Sequence, residues 1–150
     1  MSDNGASPRH SVSVAAAVIV DGRFLATRRR DNGRWELPGG VLELDEGPHE
    51  GVVREVEEET GLLVRPIRLT GVYKNLARGI VALVFRCDVV GGEACVSDEV
   101  REIRWLTPDE VRESMAEAYA VRLLDALDDG QPAVRLHDGQ HVIADVGAAS

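Results

Sequence analysis

Gly40-Val-Leu-Glu-Leu-Asp-Glu46-Gly-Pro48-His-Glu-Gly-Val-Val-Arg54-Glu55-Val56-Glu57-Glu58-Glu59-Thr60-Gly61-Leu62 is the stretch on which the fold turns. It reads as a loop, a helix and a stop. Pro48 suits the first helical turn, where its missing N–H would be unpaired anyway and its φ is already helical. Asp45 and Glu46 lie just upstream, where negative charge favours the positive end of the helix dipole. Gly61 stands where a left-handed C-terminal cap is expected. The spacing predicts a helix from about Pro48 to Thr60.

At about 100° per residue, Val52, Val53, Val56 and Thr60 share one side, the buried stripe. Glu55, Glu58 and Glu59 stand at i, i+3 and i+4, so their carboxylates converge on a neighbouring side. Gly51 falls inside that acidic arc and should leave the surface there open. Like charges at this spacing weaken a helix by a few tenths of a kcal/mol per pair, roughly. A hard divalent cation bound by oxygen ligands would reverse the penalty; an acidic face without one is simply solvated.

The order of residues decides between those readings. The stretch resembles the Nudix box, Gly-x5-Glu-x7-Arg-Glu-U-x-Glu-Glu-x-Gly-U, with U a bulky aliphatic residue. Gly40, Glu46, Arg54, Glu55, Val56, Glu58, Glu59, Gly61 and Leu62 fill its fixed positions without exception. The likeness extends in detail to Trp35-Glu-Leu-Pro-Gly39 and more loosely over residues 12–113. The chain is therefore identified as a member of the Nudix hydrolase superfamily, MutT-like. The resemblance implies an α+β fold, an α/β/α sandwich whose mixed β-sheet carries the box helix.

Composition agrees with such an enzyme. A chain of 150 residues suits one domain with a sizeable core. A net charge of −9 and a pI near 4.9 argue against a general nucleic-acid-binding surface. Anionic nucleotides can still bind if metal and a local arginine cluster supply positive charge. Cys87 and Cys95 read as small core residues in or near strands. No signal peptide is evident, so a reducing cytoplasmic setting is expected. The longest apolar run, Val14–Val20, is too short to span a bilayer.

Residues 1–11 are polar and aperiodic and are expected to form a disordered arm. A single domain is expected over 12–144, and 145–150 form a small-residue tail. Val12–Val20 and Arg23–Arg29 are strands joined at Asp21-Gly22, a hairpin signal. Arg28, Arg29, Arg30 and Arg34 make the dense basic cluster of the chain. Arginine offers forked donors that match phosphate oxygens, so one or two of these four are expected to hold substrate. Trp35–Leu37 is a short strand running into a Pro38-Gly39-Gly40 turn, with Trp35 either core or a nucleobase platform. Strands follow at Val64–Asn75, Ile80–Val90 and Arg101–Leu106, with turns at Ala77–Gly79 and Gly91-Gly92. Thr107-Pro108-Asp109-Glu110 is a capping box that opens a short helix. Met115–Leu127 is an amphipathic helix whose stripe suits the core or a homodimer interface. Pro132–Leu136 and Gln140–Ala144 flank Asp138-Gly139 as a terminal hairpin, and His137 and His141 have no acidic cluster to make them ligands.

The resemblance implies metal-dependent cleavage of a nucleoside diphosphate linked to another moiety, water attacking phosphorus. Mg²⁺, with Mn²⁺ as the alternative, is the cofactor it implies. Glu55 and Glu59, then Glu58, are the candidate ligands and catalytic carboxylates, and the Gly39 carbonyl oxygen is a further ligand. Arg54 and Glu46 are structural partners. A further catalytic glutamate is expected outside the box in Ser97–Glu102, with Glu99 ahead of Glu102. The rival reading is a non-catalytic Nudix-fold nucleotide sensor, but such proteins often lose box carboxylates and this chain retains them all. Substrate is left open. The proline that marks ADP-ribose pyrophosphatases is absent around Ala77-Arg78-Gly79, and Tyr73 comes too early for the tyrosine of dinucleoside polyphosphate hydrolases.

Overall fold

The structure, a computed structural model, describes residues 7–146. Strand β1 (Ser11–Val20) turns at Asp21-Gly22 into β2 (Arg23–Arg29). Both turn residues have positive φ, 52° and 75°, as a type I′ hairpin requires. Short strands β3 (Trp35–Glu36) and β4 (Gly39–Val41) lead into α1 (Pro48–Thr60). Then come β5 (Leu62–Asn75), β6 (Ile80–Gly92), β7 (Val100–Leu106), α2 (Pro108–Ser114), α3 (Glu117–Leu124), a 3₁₀ turn at Asp125–Leu127, β8 (Ala133–His137) and β9 (Val142–Asp145).

The sheet runs β3-β2-β1-β6-β5-β8-β9, with β4 beside β1 and β7 beside β2. The β1–β6 and β5–β8 pairs are parallel and the others antiparallel, so the sheet is mixed. Alternation along β1 builds two cores. Val14, Ala16 and Val18 face α1, where Val52, Val56 and Phe85 complete the cluster. Ala15 and Ala17 face the other side, with Phe24, Tyr73, Val111 and Leu123. Burying one Val or Leu side chain contributes about 1.5–3 kcal/mol, and both layers draw on the same strand. The result is the α/β/α sandwich expected of the chain.

Several local expectations need correction. Gly39-Gly40 is not a turn but part of β4, paired with Ala15 and Val14. Gly91 and Gly92 end β6 opposite Leu63 and Leu62 rather than forming a separate turn. Gly51 leaves no open surface. It is buried, and a Cβ there would lie 2.7 Å from Leu42 and 3.0 Å from Glu46. The helix expected over Met115–Leu127 is shorter: Met115 caps α2, and α3 starts at Glu117. Most of its stripe is core, since Met115, Ala118 and Leu123 are buried within the chain, whereas Leu127 is exposed. Cys87 is buried as expected, whereas Cys95 is exposed. Of the expected N-terminal arm, 1–6 lie outside the described residues, and Ser11 already belongs to β1. Of the tail, 147–150 lie outside them too, and Asp145 still belongs to β9. Among the described residues, no helix is long and apolar enough to cross a membrane.

Candidate active site

The site grows from the N-terminal loop and inner face of α1. Pro48 occupies the first turn, and Glu50 Oε1 accepts the Gly47 amide at 3.1 Å. Gly61 closes the helix in the left-handed region at φ 77°, its N–H reaching the Glu57 carbonyl. Between these ends Arg54 works as a brace. Its Nη2 and Nε donate to Glu46 at 2.5 and 2.9 Å, and Nη2 also reaches the Val41 carbonyl at 3.3 Å. The loop 41–46 is thereby pinned to the helix, as expected of these two partners. The guanidinium holds the Glu46 carboxyl well down, at about 2.

Glu55 and Glu59 face β4. Gly39 donates its N–H to Glu59 Oε1 at 2.9 Å, so Gly39 lies beside the carboxylate with which it was expected to share a metal. A Cβ on Gly40 would sit 2.6 Å from the Glu55 carboxylate, so any larger residue there would push that carboxylate aside. Glu55 takes a hydrogen bond from Arg54 Nη1 at 2.8 Å, and burial still pushes its carboxyl above the usual range. Glu59 is 8 % exposed, and burial pushes its carboxyl up to about 8, with the charges of Glu55 and Glu99 adding to the shift. Glu58, by contrast, points to solvent and meets Arg54 at 3.3 Å.

Glu99, exposed on the loop before β7, is near enough for its charge to act on both Glu55 and Glu59. Glu102, three residues on and inside β7, is paired with Arg104 at 2.7 Å and Arg28 at 3.5 Å. Glu55 thus feels the charges of both Glu58 and Glu99, Glu59 those of Glu55 and Glu99, and Glu102 is held by arginines instead. Among the described residues, no three acidic, histidine or cysteine side chains form a ready-made metal cage. Even so, a buried carboxylate repelled by two others is an environment a cation relieves.

The arginine cluster divides. Arg28 Nε donates to the Gly33 carbonyl and Arg30 Nε to the Ser97 carbonyl, so both tie loops together. Arg29 and Arg34 line a cleft of about 890 Å³ with Trp35, Glu36, Arg78 and Tyr119. Arg29 grips Asp31 through two bonds of 2.9 and 2.6 Å, and its charge also reaches Glu59. It therefore links the cleft to the carboxylates. Trp35 packs partly on the core while Arg104 lies 5.4 Å from its ring, so it serves as core and cleft wall together. Sequence reasoning gave Glu36, Arg78 and Tyr119 no part in a site; they lie far apart in the chain and meet only in the fold.

Residues 9–127 match the family model described as the NUDIX domain. A MutT-like protein of Streptomyces ambofaciens is 66 % identical over 137 residues, covering 91 % of this chain and 89 % of that protein. An ADP-ribose pyrophosphatase of Methanocaldococcus jannaschii is 37 % identical over 61 % of this chain and 59 % of its own length. The crystal structure of a MutT protein from Methanosarcina mazei superposes with a TM-score of 0.70 at 28 % identity, over 84 % of this chain and all of that one.

Proposed function

Since this chain belongs to the NUDIX family and is a Nudix hydrolase, we propose that it hydrolyses a pyrophosphate bond in a nucleoside diphosphate linked to another moiety, with a divalent cation as cofactor. The observation that carries this reading is Glu59: a buried carboxylate held on the Gly39 amide and crowded by Glu55 and Glu99. Glu55, Glu59 and the Gly39 carbonyl are the groups that would hold Mg²⁺ or Mn²⁺. When bound there, such an ion neutralises diphosphate charge and makes water acidic enough to attack near pH 7.

The chain's own residues do the rest. Arg54 fixes the loop and Glu55 relative to one another, so the carboxylates keep their positions as the substrate enters. Glu99, on a separate loop, is placed to accept a proton from the attacking water. The water oxygen bonds to phosphorus, the bridging P–O bond breaks, and the electron pair leaves with the departing phosphate. Arg29 and Arg34 supply cationic donors on the cleft side, where the phosphate oxygens and the rest of the nucleotide would lie. The ADP-ribose pyrophosphatase relative supports a small nucleotide-derived substrate, and a net charge of −9 fits no stable nucleic-acid partner.

The test is a screen of nucleoside di- and triphosphates, ADP-ribose, dinucleotides and nucleotide sugars with Mg²⁺ and with Mn²⁺. Cation-dependent release of phosphorylated product is expected, abolished by chelator. Tight nucleotide binding with no turnover under any of these conditions would favour the sensor reading instead.

A further inference from the structure

Asn75, the last residue of β5, is a polar side chain only 5 % exposed, and it lines the large cleft. Its carboxamide is held in one orientation. Oδ1 accepts the backbone N–H of Ala77 at 3.0 Å and that of Arg78 at 3.2 Å, a turn that closes the β5–β6 hairpin. Exchanging oxygen and nitrogen would set donors against donors, so these partners settle which atom is which. Nδ2 therefore presents two N–H groups in a fixed direction, and among the described residues it has no hydrogen-bond partner. Nor is it sealed. Arg122 Nε is the one side-chain nitrogen or oxygen, among the described residues, that is both enclosed and unpartnered. Nδ2 is thus open to solvent, and the open space beside Asn75 is the cleft.

The neighbouring wall is held in place. A Cβ on Gly139 would lie 3.8 Å from Nδ2, so that loop passes beside the carboxamide. Asp138 Oδ1 accepts the Gln140 and His141 amides at 2.9 and 2.8 Å, and the Gln140 carbonyl accepts the Ala118 amide at 2.9 Å. This loop lies beyond residues 9–127, the span that matches the NUDIX model, so the C-terminal hairpin shapes the space at Asn75. Acidic groups of the cleft are engaged: Asp31 takes two bonds from Arg29, and Glu36 lies 3.9 Å from the same guanidinium. Left to meet a ligand are donors above all, Asn75 together with Arg34 and Arg78, which form no ion pair among the described residues.

A neutral donor suits a different part of a nucleotide from a guanidinium. Arginine charge matches phosphate. An uncharged amide matches a carbonyl oxygen, and Trp35 and Tyr119 on the same cleft suit a flat ring. An exocyclic amine at that point would set N–H against N–H and leave a buried donor unpaired, which a site built for an acceptor rejects. We infer that Asn75 is a specificity-determining residue that donates from Nδ2 to a carbonyl oxygen of the substrate's nucleobase, selecting guanine and uracil over the amino-bearing adenine and cytosine. The word substrate rests on the hydrolase reading, whereas binding of the base does not.

The kinetic test takes the phosphate linkage that turns over fastest in the screen and changes the base alone. In kcat/KM, guanosine should exceed adenosine, or uridine exceed cytidine, by about tenfold or more. Asn75→Asp keeps an oxygen for the Ala77 and Arg78 amides but replaces the donors by an acceptor, so the ratio should fall to about one or invert. The two members of a pair carry the same charge, so the added carboxylate cancels in the ratio. Parity in both pairs for wild type, or an unchanged ratio in Asn75→Asp, overturns the proposal. A second measurement needs neither variant nor turnover. In ¹⁵N-labelled wild type without metal, the Asn75 side-chain amide resonances should move with GMP or UMP and stay still with AMP, CMP and inorganic phosphate. Equal movement with all four mononucleotides would put a sugar hydroxyl there, and movement with inorganic phosphate an anion. Either result, or no movement at all, overturns base selection. If GMP or UMP moves the resonances while nothing is turned over, the hydrolase reading fails and the base site stands.

Discussion

Glu59 shows how much chemistry one buried carboxylate can concentrate. Burial raises its pKa to about 8 in the protein without metal. A raised carboxyl pKa means the folded state holds a proton that the unfolded chain releases near pH 4.5, so stability is fully present below that pH and is lost as pH rises towards 8. Urea unfolding of metal-free protein between pH 4.5 and 8.5 should show this decline. Glu59→Gln should flatten it, and added Mg²⁺ should restore stability at the alkaline end. The same substitution should cut kcat by about 10² or more with the fold intact, since charge that positions the reacting groups is gone; wild-type turnover by Glu59→Gln would refute its place in the site. Glu99 and Glu102 can be ranked by the same logic. Glu99→Gln should lower kcat and shift the pH–rate profile, whereas Glu102→Gln, already neutralised by Arg104 and Arg28, should do much less.

Helix α1 is useful only because its loop is tied to it. The Arg54–Glu46 pair, with side chains 23 % and 10 % exposed, is the tie. Lysine keeps the charge but cannot fork between Glu46 and Glu55. Arg54→Lys should lower stability modestly, since one charged donor remains for Glu46, and should lower kcat by tenfold or more as Glu55 loses its orientation. Unfolding curves and steady-state kinetics on one preparation check both, and a variant equal to wild type would mean that the loop holds itself. Strand β4 sets the opposite wall. Gly40→Ala would put a methyl carbon 2.6 Å from the Glu55 carboxylate, so activity should fall more steeply than stability.

The molecule as a whole is two cores sharing one sheet. Val56 belongs to the layer under α1 and Leu123 to the layer under α3, and β1 feeds both. Val56→Ala should cost about 1.5–3 kcal/mol and Leu123→Ala about 2–5 kcal/mol. Because the layers are coupled through common strands, either loss should lower a single cooperative transition. The double variant should lose the sum within about 0.5 kcal/mol, as expected for sites without shared partners. Two resolved transitions in calorimetry would show that the layers unfold separately.

What could be read from the chain alone was what local stereochemistry dictates. Pro48 and Gly61 bound α1, Asp21-Gly22 turns a hairpin, and Thr107 with Glu110 caps α2, because each depends on dihedrals and neighbours within a few residues. The box spacing likewise put Glu55 and Glu59 on one helix face. Tertiary structure decided the rest. Three residues at Gly39–Val41 are too few to show a strand period, and only β1 running alongside makes them one. Gly51 opens no surface because Leu42 and Val14, which the helix alone does not supply, press on it. Which arginines line the cleft, and that the charge of Glu99 reaches Glu59 while Glu102 pairs with Arg28 and Arg104, depends on how loops and strands far apart in the chain are brought together. Nothing local announces that Arg122 of α3 is buried, its guanidinium against the rings of Tyr73 and Tyr119 and 3.1 Å from His137, because these come from three separate elements.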